Sequence, residues 1–121
     1  MQGLFLYSIK ALALAKRKMI TVQVTYKVKA DFVEANRNNI AVFLADFKEM
    51  QTSRFLYHIY VKEDGLTFVH LSMYESEEIQ QQVLNTASFI AFQKQRDENG
   101  LIEAPVIESL KHLGSSLSLV K

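Results

Sequence analysis

His70, Tyr57 and Tyr74 are spaced so that one side of a β-hairpin would carry an imidazole and two phenols. The stretch RFLYHIYVKEDGLTFVHLSMY (54–74) reads as two strands joined at Asp64-Gly65, a dipeptide suited to the φ > 0 geometry of a tight turn. A two-residue loop pairs Glu63 with Leu66 and fixes the register outward from there. One face then carries Phe55, Tyr57, Ile59 and Val61 beside Phe68, His70, Ser72 and Tyr74. The other carries Leu56, His58 and Tyr60 beside Val69, Leu71 and Met73. An imidazole whose ordinary pKa lies near working pH is a natural general base or hydrogen-bond partner for a phenol. The same histidine could instead be a core residue bonded to a tyrosine or to backbone. Tyr57 and Tyr74 could stack on a planar ligand, or pack in the core with satisfied hydroxyls.

Other polar candidates lie on helices. Asn36 and Arg37 fall on or beside an apolar helical stripe, where preorganised donors could stabilise an oxyanion. Either could also be solvated at a rim, Arg37 more readily than Asn36. Ser88 could donate to a ligand or cap a helix, and Ser72 lies on the His70 face. Phe92, with Phe32, Phe43, Phe47 and Phe89, is most economically core. His58 falls opposite His70, so the two cannot share a metal in this register, and no third ligand is suitably spaced. His112 reads as structural or exposed. No glycine-rich phosphate loop is present, so a nucleotide cofactor is not expected.

The elements that must position these residues follow from hydrophobic period. MITVQVTYKV (19–28) alternates cleanly as a first strand. Residues 31–50 carry Val33, Ile40, Phe43, Leu44 and Phe47 at helical spacing. After the hairpin, Ser76 is a good N-cap with Glu77 and Glu78 in the first turn. That helix should break near Asn85-Thr86, restart through Phe89 and Phe92, and stop at Gly100. A last strand runs from Val106 to about Leu113. The order βαββαβ implies an α+β, ferredoxin-like, four-stranded antiparallel sheet with both helices on one face. The uncovered face would expose Leu56, Tyr60, Val69, Leu71 and Met73 together, which marks an interface. A two-fold homodimer packed sheet to sheet would bury it.

The length of 121 residues suits one domain, and the net charge of +1 offers no basic footprint for nucleic acid. Cysteine is absent, which excludes disulfides, thiol catalysis and cysteine-held metals, and fits a reducing, cytoplasmic setting. The first eighteen residues differ from the rest: an apolar run containing Lys10, closed by Lys16-Arg17-Lys18. A signal peptide would have its basic residues first, and the run is too short to span a bilayer. A packed N-terminal helix, an extension upstream of a start at Met19, and an interfacial membrane helix remain, the first two preferred. The expected organisation is an extension over 1–18, one domain over 19–116, and a tail over 117–121.

MITVQVTYKVK followed by an acid-containing helix, the hairpin ending in Tyr74-Glu75, and TASFIAF (86–92) together resemble antibiotic biosynthesis monooxygenase domains. The resemblance covers about residues 19–116. It implies a dimeric α/β barrel, a pocket between helices and sheet, and oxygenation of a quinol or aromatic polyphenol by molecular oxygen without a cofactor. It also implies catalytic roles for His70 and Tyr74, with Tyr57, Asn36, Ser72, Ser88 and Phe92 as substrate-binding candidates. Departures are Ser88 where the family often has histidine and Tyr74 where it often has tryptophan. The heme-degrading branch would need asparagine, tryptophan and histidine where Val24, Tyr74 and Gln93 stand. A non-oxygenase binding protein or an isomerase of a signalling compound is the alternative on the same fold. A closed aromatic pocket with His70 facing in would favour the oxygenase. An open or filled pocket, or one with Arg37 turned inward, would favour the alternative.

Overall fold

A computed structural model describes residues 19–117. The expectations for residues 1–18 lie outside the described residues. The chain runs β1 (Ile20–Lys27), a 3₁₀ turn (Ala30–Phe32), α1 (Val33–Glu49), β2 (Phe55–Val61), β3 (Thr67–Tyr74), α2 (Glu77–Leu84), α3 (Ala87–Gln95), a π-helical turn (Arg96–Gly100) and β4 (Val106–Leu110). The strands form one antiparallel sheet in the order β2-β3-β1-β4. This is the expected ferredoxin-like α+β architecture, and β3 and β1 are its central strands.

The hairpin has the register read from Asp64-Gly65: Phe55 opposite Tyr74, Ile59 opposite His70, Val61 opposite Phe68. The ladder stops short of the expected Glu63–Leu66 pair. Lys62 N–H still donates to Thr67 O at 2.8 Å, but the Asp64 carboxylate takes the Leu66 and Thr67 N–H groups, each at 2.9 Å. It also accepts the Thr67 hydroxyl, and these donors hold its carboxyl down at about 2. Gly65 supplies the left-handed residue, with φ 71°. The loop is longer than two residues but keeps the same parity, so every side chain points as expected.

The helical layer is built as its sequence signals require. Ser76 Oγ accepts from Ile79 N–H at 3.2 Å and caps α2. Asn85-Thr86 separates α2 from α3. Two polar clasps join α1 to α3: Asn39 to Gln95 at 2.8 Å, and Ser88 to Asp46 at 2.5 Å. Beneath them lies an aromatic core in which Phe43, Phe47, Phe89, Phe92, Tyr57 and His70 meet ring to ring.

The C-terminal part brings one addition and one correction. Helix stops at Gly100 as expected, but through a π-helical turn, with Gly100 buried where a Cβ would run into the Phe32 ring. The last strand ends at Leu110 rather than Leu113, because Leu110 pairs with Thr21, almost the first residue of β1, and among the described residues no strand lies beyond. His112 is therefore outside the sheet, exposed and bonded to Ser115 Oγ at 2.7 Å. All of β4 is exposed, including Val106, Ile107 and Leu110. On the face away from the helices, Leu56 and Tyr60 are also exposed, with Val69, Leu71 and Met73 half-buried beside them.

Candidate functional site

His70 occupies the middle of β3, with Val24 of β1 and Ile59 of β2 opposite it. On a twisted antiparallel sheet the diagonal neighbours are within reach of aromatic side chains. Those neighbours are Tyr26 on β1 and Tyr57 on β2. The Tyr26 hydroxyl lies 2.7 Å from His70 Nε2, and the Tyr57 hydroxyl 2.8 Å from Nδ1. Asn36, fully buried on α1, donates from Nδ2 to the Tyr26 hydroxyl at 3.0 Å. The result is a polar chain, Tyr57–His70–Tyr26–Asn36, that crosses three strands and reaches the helix above. Asn36 Oδ1 has no partner among the described residues.

Burial governs the protonation of this chain. His70 is 2% exposed, and burial, aided by the Arg96 charge, lowers its pKa to about 3. The expectation of an imidazole titrating near neutrality does not hold in this setting. A neutral imidazole has one N–H and one lone pair, so it donates to one tyrosine oxygen and accepts from the other. Burial pushes Tyr26 up to about 12, with the Asn36 bond and Arg96 acting in the opposite sense. Tyr57 is raised further by burial and by its tyrosine neighbours. At neutral pH the chain carries no charge of its own. The nearby charge is Arg96, whose guanidinium carbon sits 4.9 Å from the Tyr26 ring centroid and 5.2 Å from that of Phe92. Its Nε donates to Asp97 at 2.9 Å.

The candidates from sequence fall into two groups. Tyr57, His70, Asn36 and Phe92 come together, Phe92 stacking on the imidazole at 5.5 Å between centroids. The others stand apart. Tyr74 is buried at the far end of β3, stacked on Phe55, its hydroxyl pKa raised by burial. Ser72 is buried and donates to the Val22 carbonyl at 3.4 Å. Ser88 is spent on Asp46. His58 lies on the opposite face from His70, as expected. No cluster of three metal-ligating side chains occurs among the described residues.

Open space lies beside the polar chain rather than on it. A groove of about 290 Å³ runs between α1 and the β2–β3 hairpin, walled by Ile40, Leu44, Ile59, Val61 and Phe68. Phe68 separates it from the chain, because its ring stacks on Tyr26 at 5.6 Å. Arg37 is the one charged residue among the described residues that line the groove. Sequence reasoning missed Tyr26, Arg96 and the groove walls. The signals were there: Tyr26 is the one polar aromatic on the inner face of β1, and Arg96 follows Phe92 by one helical turn.

This sheet order, with its helices on one face, has counterparts among solved structures. The chain has the fold of the antibiotic biosynthesis monooxygenases. A protein from Bacteroides thetaiotaomicron named "putative antibiotic biosynthesis monooxygenase" superposes with TM-score 0.72 at 8% identity, over 84% of this chain and 95% of that one. One of the same name from Caulobacter crescentus gives TM-score 0.68 at 23% identity, over 81% and 92%. Another, from Nitrosomonas europaea, gives 0.66 at 16%, over 78% and 90%. No family model matches the sequence, and no curated protein does. At these identities the likeness is one of fold. Among the described residues no helix is long and apolar enough to cross a membrane.

Proposed function

We propose that this chain is a cofactor-independent monooxygenase of a quinol or aromatic polyphenol, acting as a homodimer with its ligand between helix and sheet. The observation that carries a ligand site is the groove: apolar walls, one cation, and a position against the buried polar chain on the helix-covered face. Its volume is at the small end of ligand pockets, which run from about 300 to 1,000 Å³. The names of the similar structures supply the reaction class. In this reading a phenol ring lies on Ile40, Ile59 and Phe68 while Arg37 stabilises its oxyanion, as a preorganised cation does. His70 acts through the two tyrosine hydroxyls that it holds, since both ring nitrogens are engaged. It is a positioning residue for the Tyr57 and Tyr26 side chains.

Oxygen uptake with a panel of hydroquinones tests the reading, with metal chelator present and no flavin or heme added. Uptake is expected with at least one quinol, and Arg37→Ala should reduce it. A chain inert towards every quinol, or active only with added flavin or metal, defeats the oxygenase. One observation favours the alternative of a binding protein or isomerase: the interior around His70 is filled by protein rings, and the open space carries Arg37. Ligand binding without oxygen uptake would select it.

A further inference from the structure

We infer that the groove selects its ligand already ionised: an acidic phenol or enol of one or two fused rings, captured from solution as an anion by Arg37 rather than deprotonated by the protein. The inference rests on the groove being the ligand site proposed above, and it concerns which chemical form enters. Eight of the described residues line the groove, and the charged one among them is Arg37 from α1; Tyr60 from β2 is also among them, though it belongs to the opposite sheet face. No carboxylate and no histidine is among them. The His70 imidazole is on the far side of Phe68, whose ring stacks on Tyr26, with one tyrosine hydroxyl on each ring nitrogen. A phenol could reach it only by displacing a wall residue and breaking one of those bonds.

Among the described residues the groove therefore holds no group placed to take a proton, but it does hold one to stabilise the conjugate base. An aromatic anion suits both parts of the lining. Its rings cover apolar wall, and its oxygen meets a planar cation that forms charge-assisted hydrogen bonds. The anion is also the electron-rich form of a phenol, so capture of the anion delivers the oxidisable species without a proton transfer on the protein. The volume of about 290 Å³ limits the ligand to one or two rings.

Binding can be measured without turnover by using ligands that oxygen does not attack. The chain has five tyrosines and no tryptophan, so calorimetry, with tyrosine fluorescence in support, is a suitable readout. The probes are 2-hydroxy-1,4-naphthoquinone, an enol ionised at neutral pH, and 2-methoxy-1,4-naphthoquinone, which cannot ionise. The hydroxy compound should bind at least about tenfold more tightly at pH 7. Arg37→Gln should erase the difference, and Arg37→Lys should retain part of it. With 1-naphthol, a weak acid, affinity measured with oxygen excluded should rise as pH passes the ligand's own pKa. Equal binding of the two quinones, a preference that survives Arg37→Gln, or a 1-naphthol profile without that rise overturns the inference. If the anion binds through Arg37 but no quinol drives oxygen uptake, the inference stands and the oxygenase reading falls.

Discussion

His70 is a base that folding keeps unprotonated, and its environment makes that a stability term. The unfolded chain protonates this imidazole near its ordinary pKa of 6.5, whereas the folded chain does so only at about 3. Between those values the unfolded state binds the extra proton. Stability is therefore unaffected by His70 above about pH 6.5 and declines as pH falls towards 3. The slope from this one residue approaches about 1.4 kcal/mol per pH unit. Asp64 acts in the same direction, but in a lower window, from 3.8 to about 2. Urea unfolding between pH 6 and 4 thus isolates His70, and His70→Gln should flatten the profile there. The two tyrosines give a second test. Tyr57→Phe strips one ring nitrogen of its partner and should cost about 1–3 kcal/mol, the range for an orphaned buried polar group. Tyr26→Phe orphans the other ring nitrogen and Asn36 Nδ2 together, so it should cost more. Equal losses would mean that the Asn36 bond adds nothing.

At the scale of elements, the π-helical turn is the least ordinary piece of backbone. It carries Arg96 to the Tyr26 ring and brings Gly100 against Phe32. Lys29 N–H donates to the Gly100 carbonyl at 2.8 Å, so the turn is also tied to the end of β1. Gly100→Ala should force Phe32 aside and destabilise the fold by about 1–3 kcal/mol, the usual cost of overpacking. A thermal melt unchanged by Gly100→Ala would show that Phe32 yields freely. By contrast Ser76→Ala removes only a cap and should cost about 1 kcal/mol. The elements differ in how far they were legible. Period-2 alternation in β1 and the Asp64-Gly65 signal determined strands and register, because a one-residue slip would turn His70 outward. Ser76 and Asn85-Thr86 marked the helix ends. The π-helical turn left no local mark, since Gly100 reads equally as a stop. The end of β4 depends on where β1 begins, which is a property of the partner strand. The polar chain was half legible: His70 and Tyr57 share one hairpin, but Tyr26 and Asn36 join it only through tertiary pairing. The groove was not legible, because a cavity is what remains after side chains have packed.

On the scale of the whole molecule, one face of the sheet has no helical cover among the described residues. Leu56, Tyr60, Val106 and Leu110 are exposed on it, and Val69, Leu71 and Met73 lie half-buried among them. Across β1 the same face turns polar, with Thr21, Gln23 and Thr25, so the apolar part concentrates on β2 and β3 with a second strip on β4. A contiguous patch of this kind is uncommon on a soluble monomer, and a second copy of the same face would cover it with self-complementary chemistry. Leu71 is paired with His58 and Gln23 near the middle of the face, so a charge there would be buried unpaired in any sheet-to-sheet dimer. Light scattering should find the parent chain dimeric, and Leu71→Glu should yield monomer or aggregate. Thr25→Lys, placed over the polar side, should perturb assembly less if β2 and β3 supply the interface. The two substitutions differ in where they act on one sheet face, while the His70 chain lies on the other side and keeps its acid profile in both. A parent chain that remains a folded monomer at high concentration would show that this face is not a dimer interface.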